Sequence, residues 1–545
     1  MLQAIFTELA DDEAYYWMYA QYLDWGYFDH PPAIALFIKL GYTLFHNTLG
    51  VRLVVVVAAS VTGYLAWLMA NNQSAHASAN QSHWLFGALL FAFPLIHIYG
   101  FVATPDAPLL LFSTLFLYLY YRFLQNATYT LAVIMGIVIA AMLYSKYHAI
   151  LVLLFIVLSN LKILKKPQTW LAVTISILLF LPHVLWQWNH DFPSIKYHLI
   201  ERSESSYDYF YTIEYFLNLF VIFNPLLFPL IVWVFIKYRW DNLFQKALYY
   251  IVVGTFFFFL LSSIRGHVQP QWLIITFIPT VIFLYQKTIL LFKTRKYILR
   301  VLYPTAILIF ILRLGMAIDI LPVDTEFHDL KRYKKIHNVL GNTPVIFEDT
   351  YQMPSKYTFY TGIFATTHNN INYRQNQYDI WQNRDGLLYG KSVVFIRDYH
   401  TPGSIAYALS KGDTIYATYI THYNTIRNLQ IDYTKFPEKI KAGTTKNVML
   451  NIYNPYNYAI YLNDTAFPVV VKALFVPTDS GWNSMKVTEV HFDQEVFRLP
   501  PQKQLQIAAK VDMPSIPNTY HFNIVFQQPY FLYPFNSKRQ VLTIQ

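Results

Sequence analysis

Five short stretches hold the residue types that can do chemistry. Asp11-Asp12-Glu13 opens a helix that carries Tyr15, Tyr16, Trp17, Tyr19 and Tyr22. Trp25-Gly26-Tyr27-Phe28-Asp29-His30-Pro31-Pro32 follows it. Thr104-Pro105-Asp106 lies between two apolar runs, as does Ser145-Lys146-Tyr147-His148. Arg265-Gly266-His267 leads into Gln269-Pro270-Gln271-Trp272. Carboxylates such as Asp12, Glu13 and Asp106 can take a proton from a hydroxyl as general base. Lys146 and Arg265, with His30 and His267, can stabilise charge developing on a phosphate leaving group. Tyr15, Tyr27, Tyr147 and Trp272, with Asp29 in the turn, would wall such a cavity, since aromatic rings with a polar tip favour the membrane interface. The combination fits sugar transfer from a lipid phosphate at a membrane surface.

Each stretch also has a plainer reading. The three acids suit a helix N-terminus as a solvated acidic turn. The paired prolines make a rigid corner in which His30 is structural. Asp106 can be a helix cap, although an ionisable group at the membrane boundary is a functional hypothesis by default. Lys146 and Arg265 can simply snorkel to the interface.

Hydrophobic segments of helical length must position these residues. A span needs about 20 mostly apolar residues. The candidates are 51–70, 84–102, 107–124, 129–145, 147–164, 170–187, 213–236, 246–263, 271–286 and 298–317, which makes ten. Several are short or broken by Pro, which is tolerated only against neighbouring helices or a cavity. With residues 1–50 outside, the short inner loops receive 12 of the 19 Lys and Arg in residues 1–322, as the positive-inside rule requires. Of the 14 Asp and Glu in this half, only Asp241 falls inside. Met1 to Ala10 is too short to span, so a further helix upstream is expected.

After Pro322 the composition shifts. Residues 323–405 mix helix and strand, and 406–545 carry β-branched and aromatic runs punctuated by Gly and Pro, the pattern of a β-sandwich. The expected fold is therefore a polytopic α-helical bundle over 1–322, an extracytoplasmic α/β subdomain over 323–405 and a β-rich, sandwich-like domain over 406–545.

Composition excludes other classes. Of 545 residues, 55% are apolar and 13% charged, against about 25% charged in a soluble domain. With Cys at 0, thiolate metal sites and Cys nucleophiles are out. The net charge of +10 divides as +5 for residues 1–322 and +5 for 323–545. No dense basic tract marks a phosphate-binding arm, so nucleic acid is not an expected partner.

On Asp12–Trp17, Trp25–Pro32, Thr104–Pro108, Ser145–Tyr147 and the turn around His267 and Trp272, the chain resembles the GT-C glycosyltransferases. It is similar to bacterial relatives of dolichyl-phosphate-mannose protein mannosyltransferases and of aminoarabinose transferase. Tyr373–Trp381 adds to the likeness, which covers about residues 1–390. The resemblance implies a polyprenyl-phosphate-linked sugar donor, inverting transfer, a glycan, lipid or protein acceptor, and a place in the bacterial inner membrane. It implies Asp12 as general base, Asp106 in the same cavity and Lys146 on the lipid phosphate. His30 stands where aminoarabinose transferase has a Lys, and Arg265 and His267 are further phosphate candidates. No cofactor is required, with a divalent cation left open. The competing reading is a flippase or transporter of a lipid-linked glycan, which predicts charged groups near the bilayer midplane and inverted repeats. A surface receptor using the β-rich tail ranks last.

Overall fold

The computed structural model describes residues 1–72, 83–199, 207–289, 291–318, 325–381, 386–409, 413–463, 468–493 and 498–545. The chain divides into two compact units, Met1–Asp329 and Leu330–Gln545. The boundary expected at Pro322 and the acids Glu201, Glu204 and Asp319 lie outside the described residues.

The first unit is helical. Five described helices are long and apolar enough to cross a membrane: Thr48–Asn71, Asp106–Gln125, Pro167–Asn189, Leu243–Ser262 and Lys293–Ile318. Shorter apolar helices accompany them, including His83–Ala92, Tyr129–Ser145, Ala149–Ser159, Tyr209–Ile222 and Phe228–Lys237. The ten expected spans are therefore not ten continuous helices. The segment 84–102 breaks at Phe93, whose backbone is extended ahead of Pro94. Proline lacks the N–H that would continue the ladder. The segment 213–236 breaks at Asn224, which sits at φ 64°. The segment 271–286 begins as a tight 3₁₀ turn, Pro270–Thr276, before Phe277–Thr288 becomes α-helical.

The breaks answer one another. Asn224 Nδ2 donates to the Ala92 carbonyl at 2.8 Å and to Thr305 Oγ1 at 2.8 Å. Ala92 ends the helix that Pro94 interrupts, so one break supplies the donor that another leaves wanting. This is how irregular backbone survives at membrane depth. Close packing relies on small residues: a Cβ on Gly136 would sit 2.7 Å from the Ala172 carbonyl oxygen. Helices Tyr129–Ser145 and Pro167–Asn189 meet there.

The second unit opens with helix Leu330–Leu340 and a five-stranded sheet. The strand order is Ala365–His368, Val345–Glu348, Val393–Arg397, Thr414–Ile420, Ile405–Ala408. The first three are parallel and the last two antiparallel. The α/β layer thus runs past residue 405, where the sequence placed its end. Ile415 and Ala417 are buried in the same core as Val394 and Ile396, which draws Thr414–Ile420 into this sheet. Ten further strands follow among the described residues, eight in one sheet and two in a small separate pair. Lys486–Phe492 pairs through Lys486–Glu489 with Val470–Pro477 and through Val490–Phe492 with Gln504–Asp512, joining the two halves of the eight-stranded sheet. Alternate residues Val448, Leu450 and Ile452 join Phe522, Ile524 and Phe526 in one core, the period of two expected of half-buried strands.

Asp349 closes the first parallel strand at φ 51°. Burial, with Glu348 and Asp379 nearby, pushes its carboxyl up to about 7. The sign is that of an acid raised on folding: the ionised form is penalised in the folded state, so stability from this group falls as pH rises from about 4 to about 7. Asn tolerates the left-handed backbone. Asp349→Asn is therefore expected to raise the unfolding temperature of the whole protein at pH 8 and leave it nearly unchanged at pH 4, by scanning fluorimetry. Gly136→Val is expected to lower it at every pH, because a carbonyl blocks the new side chain.

Candidate functional site

Helix Asp11–Gln21 begins after Ala10, and its first turn is acidic. Glu13 reaches back to accept from the Ala10 N–H at 3.0 Å. Its carboxylate also accepts from Arg52 Nε at 2.7 Å, from Arg52 Nη2, and from the Ala103 N–H at 2.7 Å. Glu13 and Arg52 are both 0% exposed. Arg52 gives its remaining hydrogens to the carbonyls of Thr7 and Glu8, each at 2.7 Å, and of Ala4 at 3.4 Å. Glu13, expected among the catalytic acids, is thus engaged by four donors. Asp12, one position earlier on the same turn, is exposed.

Asp106 is the first residue of helix Asp106–Gln125, and Lys146 follows the last residue of helix Tyr129–Ser145. An anion at a helix start and a cation at a helix end each suit the helix dipole. Lys146 Nζ lies 2.8 Å from Asp106 Oδ1 and 2.9 Å from Oδ2. Both side chains are buried. Asp106 lies three residues beyond Ala103, whose N–H is held by Glu13. The Tyr99 hydroxyl is within electrostatic reach of Asp106, Asp12 and Glu326. Asp12, Asp106 and Lys146 therefore gather at one end of the helical unit.

The first loop supplies a buried tyrosine cluster. Asp29 accepts from the Tyr15 hydroxyl at 3.0 Å and from Tyr19 at 3.4 Å. Burial, with Tyr15 and Asp29 adjacent, holds the Tyr19 hydroxyl far above its usual range, so it stays a donor. Tyr27 stacks on Tyr19 with centroids 4.0 Å apart. His30 sits edge-on to Tyr16 at 5.8 Å. The loop is pinned from helix Pro167–Asn189. His183 Nδ1 meets the Trp25 carbonyl at 2.7 Å, and Trp186 Nε1 donates to Asp24 at 2.9 Å. Tyr147, next to Lys146, bonds His183 Nε2 at 2.9 Å and accepts from Gln187 at 3.1 Å.

The Arg265–His267 turn stands further out. Arg265 and His267 are exposed, and His267 Nδ1 pairs with Glu214 at 2.7 Å. Trp272 packs on His148 at 5.2 Å, which seats the 269–272 segment against the Lys146 corner. Among the described residues, no three His, Asp or Glu are grouped to hold a metal ion. Sequence reasoning missed Arg52, Tyr99, His183 and Gln187. Arg52 had a signal, a charge inside a long apolar helix. His183 had only its place within a span.

Comparison with known proteins matches this region. The family model described as dolichyl-phosphate-mannose-protein mannosyltransferase matches residues 29–186, which include His30, Asp106 and Lys146. The lipid A galacturonosyltransferase RgtD of Rhizobium johnstonii is 22% identical over 290 residues, or 51% of this chain and 60% of that protein. The match thus spans less than two thirds of that relative. The crystal structure of ArnT from Cupriavidus metallidurans in the apo state superposes with a TM-score of 0.57 at 14% identity, over 76% of this chain and 95% of ArnT. ArnT bound to undecaprenyl phosphate gives 0.55 at 14% identity over the same shares. The chain is a multi-pass membrane protein that resembles the dolichyl-phosphate-mannose-protein mannosyltransferase model over residues 29–186 and shares the fold of ArnT.

Breaking a buried charge pair from one side costs about 3–5 kcal/mol. Arg52→Leu is therefore expected to lower the unfolding temperature sharply in detergent, and Glu13→Gln/Arg52→Met together to cost less than Arg52→Leu alone. Equal losses for the single and double variants would show that the pair is not what holds these segments.

Proposed function

We propose that this chain is a membrane glycosyltransferase that moves a sugar from a polyprenyl-phosphate donor to a hydroxyl of a glycan, lipid or protein acceptor. The reaction faces the outer side of the bacterial inner membrane, where the second unit also lies. The observation that carries this reading is the buried Asp106–Lys146 contact beside the exposed Asp12. The ArnT fold, solved elsewhere with undecaprenyl phosphate, supports the donor class.

The acceptor oxygen attacks the anomeric carbon as the bond from that carbon to the phosphate oxygen breaks. The bonding pair leaves with the polyprenyl phosphate, and attack from the opposite face inverts the centre. Asp12 takes the acceptor proton. Glu13 is a poor choice for that task, because its lone pairs already serve Arg52 and two backbone N–H groups. Lys146 meets the charge that develops on the departing phosphate. An ammonium carries three donors, and Asp106 holds it in place through both carboxylate oxygens. Tyr15, Tyr27, Asp29 and Tyr147 shape the wall on the sugar side.

Removing a general base costs about 10²–10⁴-fold. Asp12→Asn is expected to lower turnover by that factor in proteoliposomes supplied with a polyprenyl-phospho-sugar, read as sugar-bearing product by mass spectrometry. Turnover equal to wild type would remove Asp12 from the role. Lipid-linked glycan crossing the bilayer without covalent transfer would replace the transferase reading with a flippase.

A further inference from the structure

Three cations stand over aromatic rings at the end of the helical unit remote from Asp106 and Lys146. Lys237 closes helix Phe228–Lys237 with Nζ 4.7 Å from the Trp233 ring centroid. Arg239 lies 5.8 Å from the Tyr249 centroid and donates to its hydroxyl at 2.9 Å. Lys246 lies 5.6 Å from Trp240 and 5.2 Å from Tyr250. Trp240 in turn contacts Tyr249 at 5.4 Å, so Arg239 and Lys246 flank one aromatic cluster. The single acid of this loop, Asp241, is already paired with Lys287 at 2.7 Å. Among the described residues, no carboxylate lies within ion-pair distance of Lys237, Arg239 or Lys246.

This patch lies at the start of helix Leu243–Ser262, whose other end leads into the Arg265–His267 turn. Twenty residues at 1.5 Å each separate the ends by about 30 Å, a bilayer core.

We propose that Lys237, Arg239 and Lys246 form a docking surface for the phosphate headgroup of an anionic phospholipid. A cation over a ring keeps its full charge and is held in place. Trp and Tyr at the end of a span settle at headgroup depth, where the anion within reach is a lipid phosphate. The cations arrive without counter-charge, so a phosphate neutralises them and meets no repelling acid. The site is separate from the donor pocket and stands whether or not the transferase reading holds.

The test compares full-length wild type with Lys237→Gln/Arg239→Gln/Lys246→Gln, purified in detergent and offered phosphatidylglycerol and phosphatidylcholine in equal amounts. Bound lipid is counted by native mass spectrometry. Each cation near an anionic surface contributes about 1 kcal/mol, about fivefold, so wild type is expected to favour phosphatidylglycerol by at least about tenfold and the triple variant to show little preference. No preference in wild type, or the same preference in both, overturns the proposal. Should the triple variant fail to fold, wild type decides: its preference is expected to collapse in 1 M salt, where screening acts within about 3 Å, and persistence there overturns the proposal. Displacement of the lipid by millimolar inorganic phosphate would overturn the headgroup assignment.

Discussion

Arg52 lies within a long apolar helix with no exposed surface. A guanidinium in such a place must find an oxygen for each hydrogen, since an unpaired buried charge costs several kcal/mol. It finds them in Glu13 and in the carbonyls of Ala4, Thr7 and Glu8. That demand bends the N-terminal stretch around one side chain. Glu13 then spends its remaining lone pairs on Ala10 and Ala103. Three segments far apart in sequence are fixed to one point. Successive helical residues are about 100° apart, so holding Glu13 inward turns Asp12 outward, and holding Ala103 sets where Asp106 starts its helix.

The second charge pair follows a different rule. Asp106 and Lys146 sit at opposite helix ends, where dipoles favour each charge. Desolvation makes the pair costly to break, and its two members still keep spare hydrogen-bonding capacity. The broken helices around it are tolerated because polar side chains such as Asn224 satisfy the freed backbone. Irregular backbone near a cavity is how a membrane bundle makes room for polar chemistry without exposing peptide groups to lipid.

The helical character of the first half, and the strands of the second, were legible because composition and period show directly: long apolar runs and alternation such as Val448, Leu450, Ile452. That Asp106 and Lys146 stand at the boundary between spans was legible from ionisable residues stranded there, whereas their direct contact was not, because 40 residues separate them. The count of spans was not: Pro marked several of them as interrupted, but hydropathy averages over a break such as that at Asn224 and does not say which spans run continuously. The engagement of Glu13 was also hidden. Its partner is 39 residues away, and only three-dimensional proximity distinguishes it from Asp12. The α/β boundary moved for a similar reason: Thr414–Ile420 has the composition of any strand, and only its partner Val393–Arg397 assigns it.

The charge arrangement also bears on how the proposed reaction would finish. A polyprenyl-phospho-sugar is a diester with one negative charge, and the polyprenyl phosphate left behind is a monoester with about −1.5 to −2. In the proposed reaction Lys146 would meet that charge as it develops and so favour departure. Asp106 beside it, with Asp12 nearby, keeps the local balance from becoming strongly positive. A pocket with one ammonium and two carboxylates would hold the added unit of product charge less tightly than one lined only by cations, because that unit meets the acids as well as the lysine. A site lined only by cations would hold the product phosphate tightly and turn over slowly. Pairing the lysine with an acid trades some donor affinity for release.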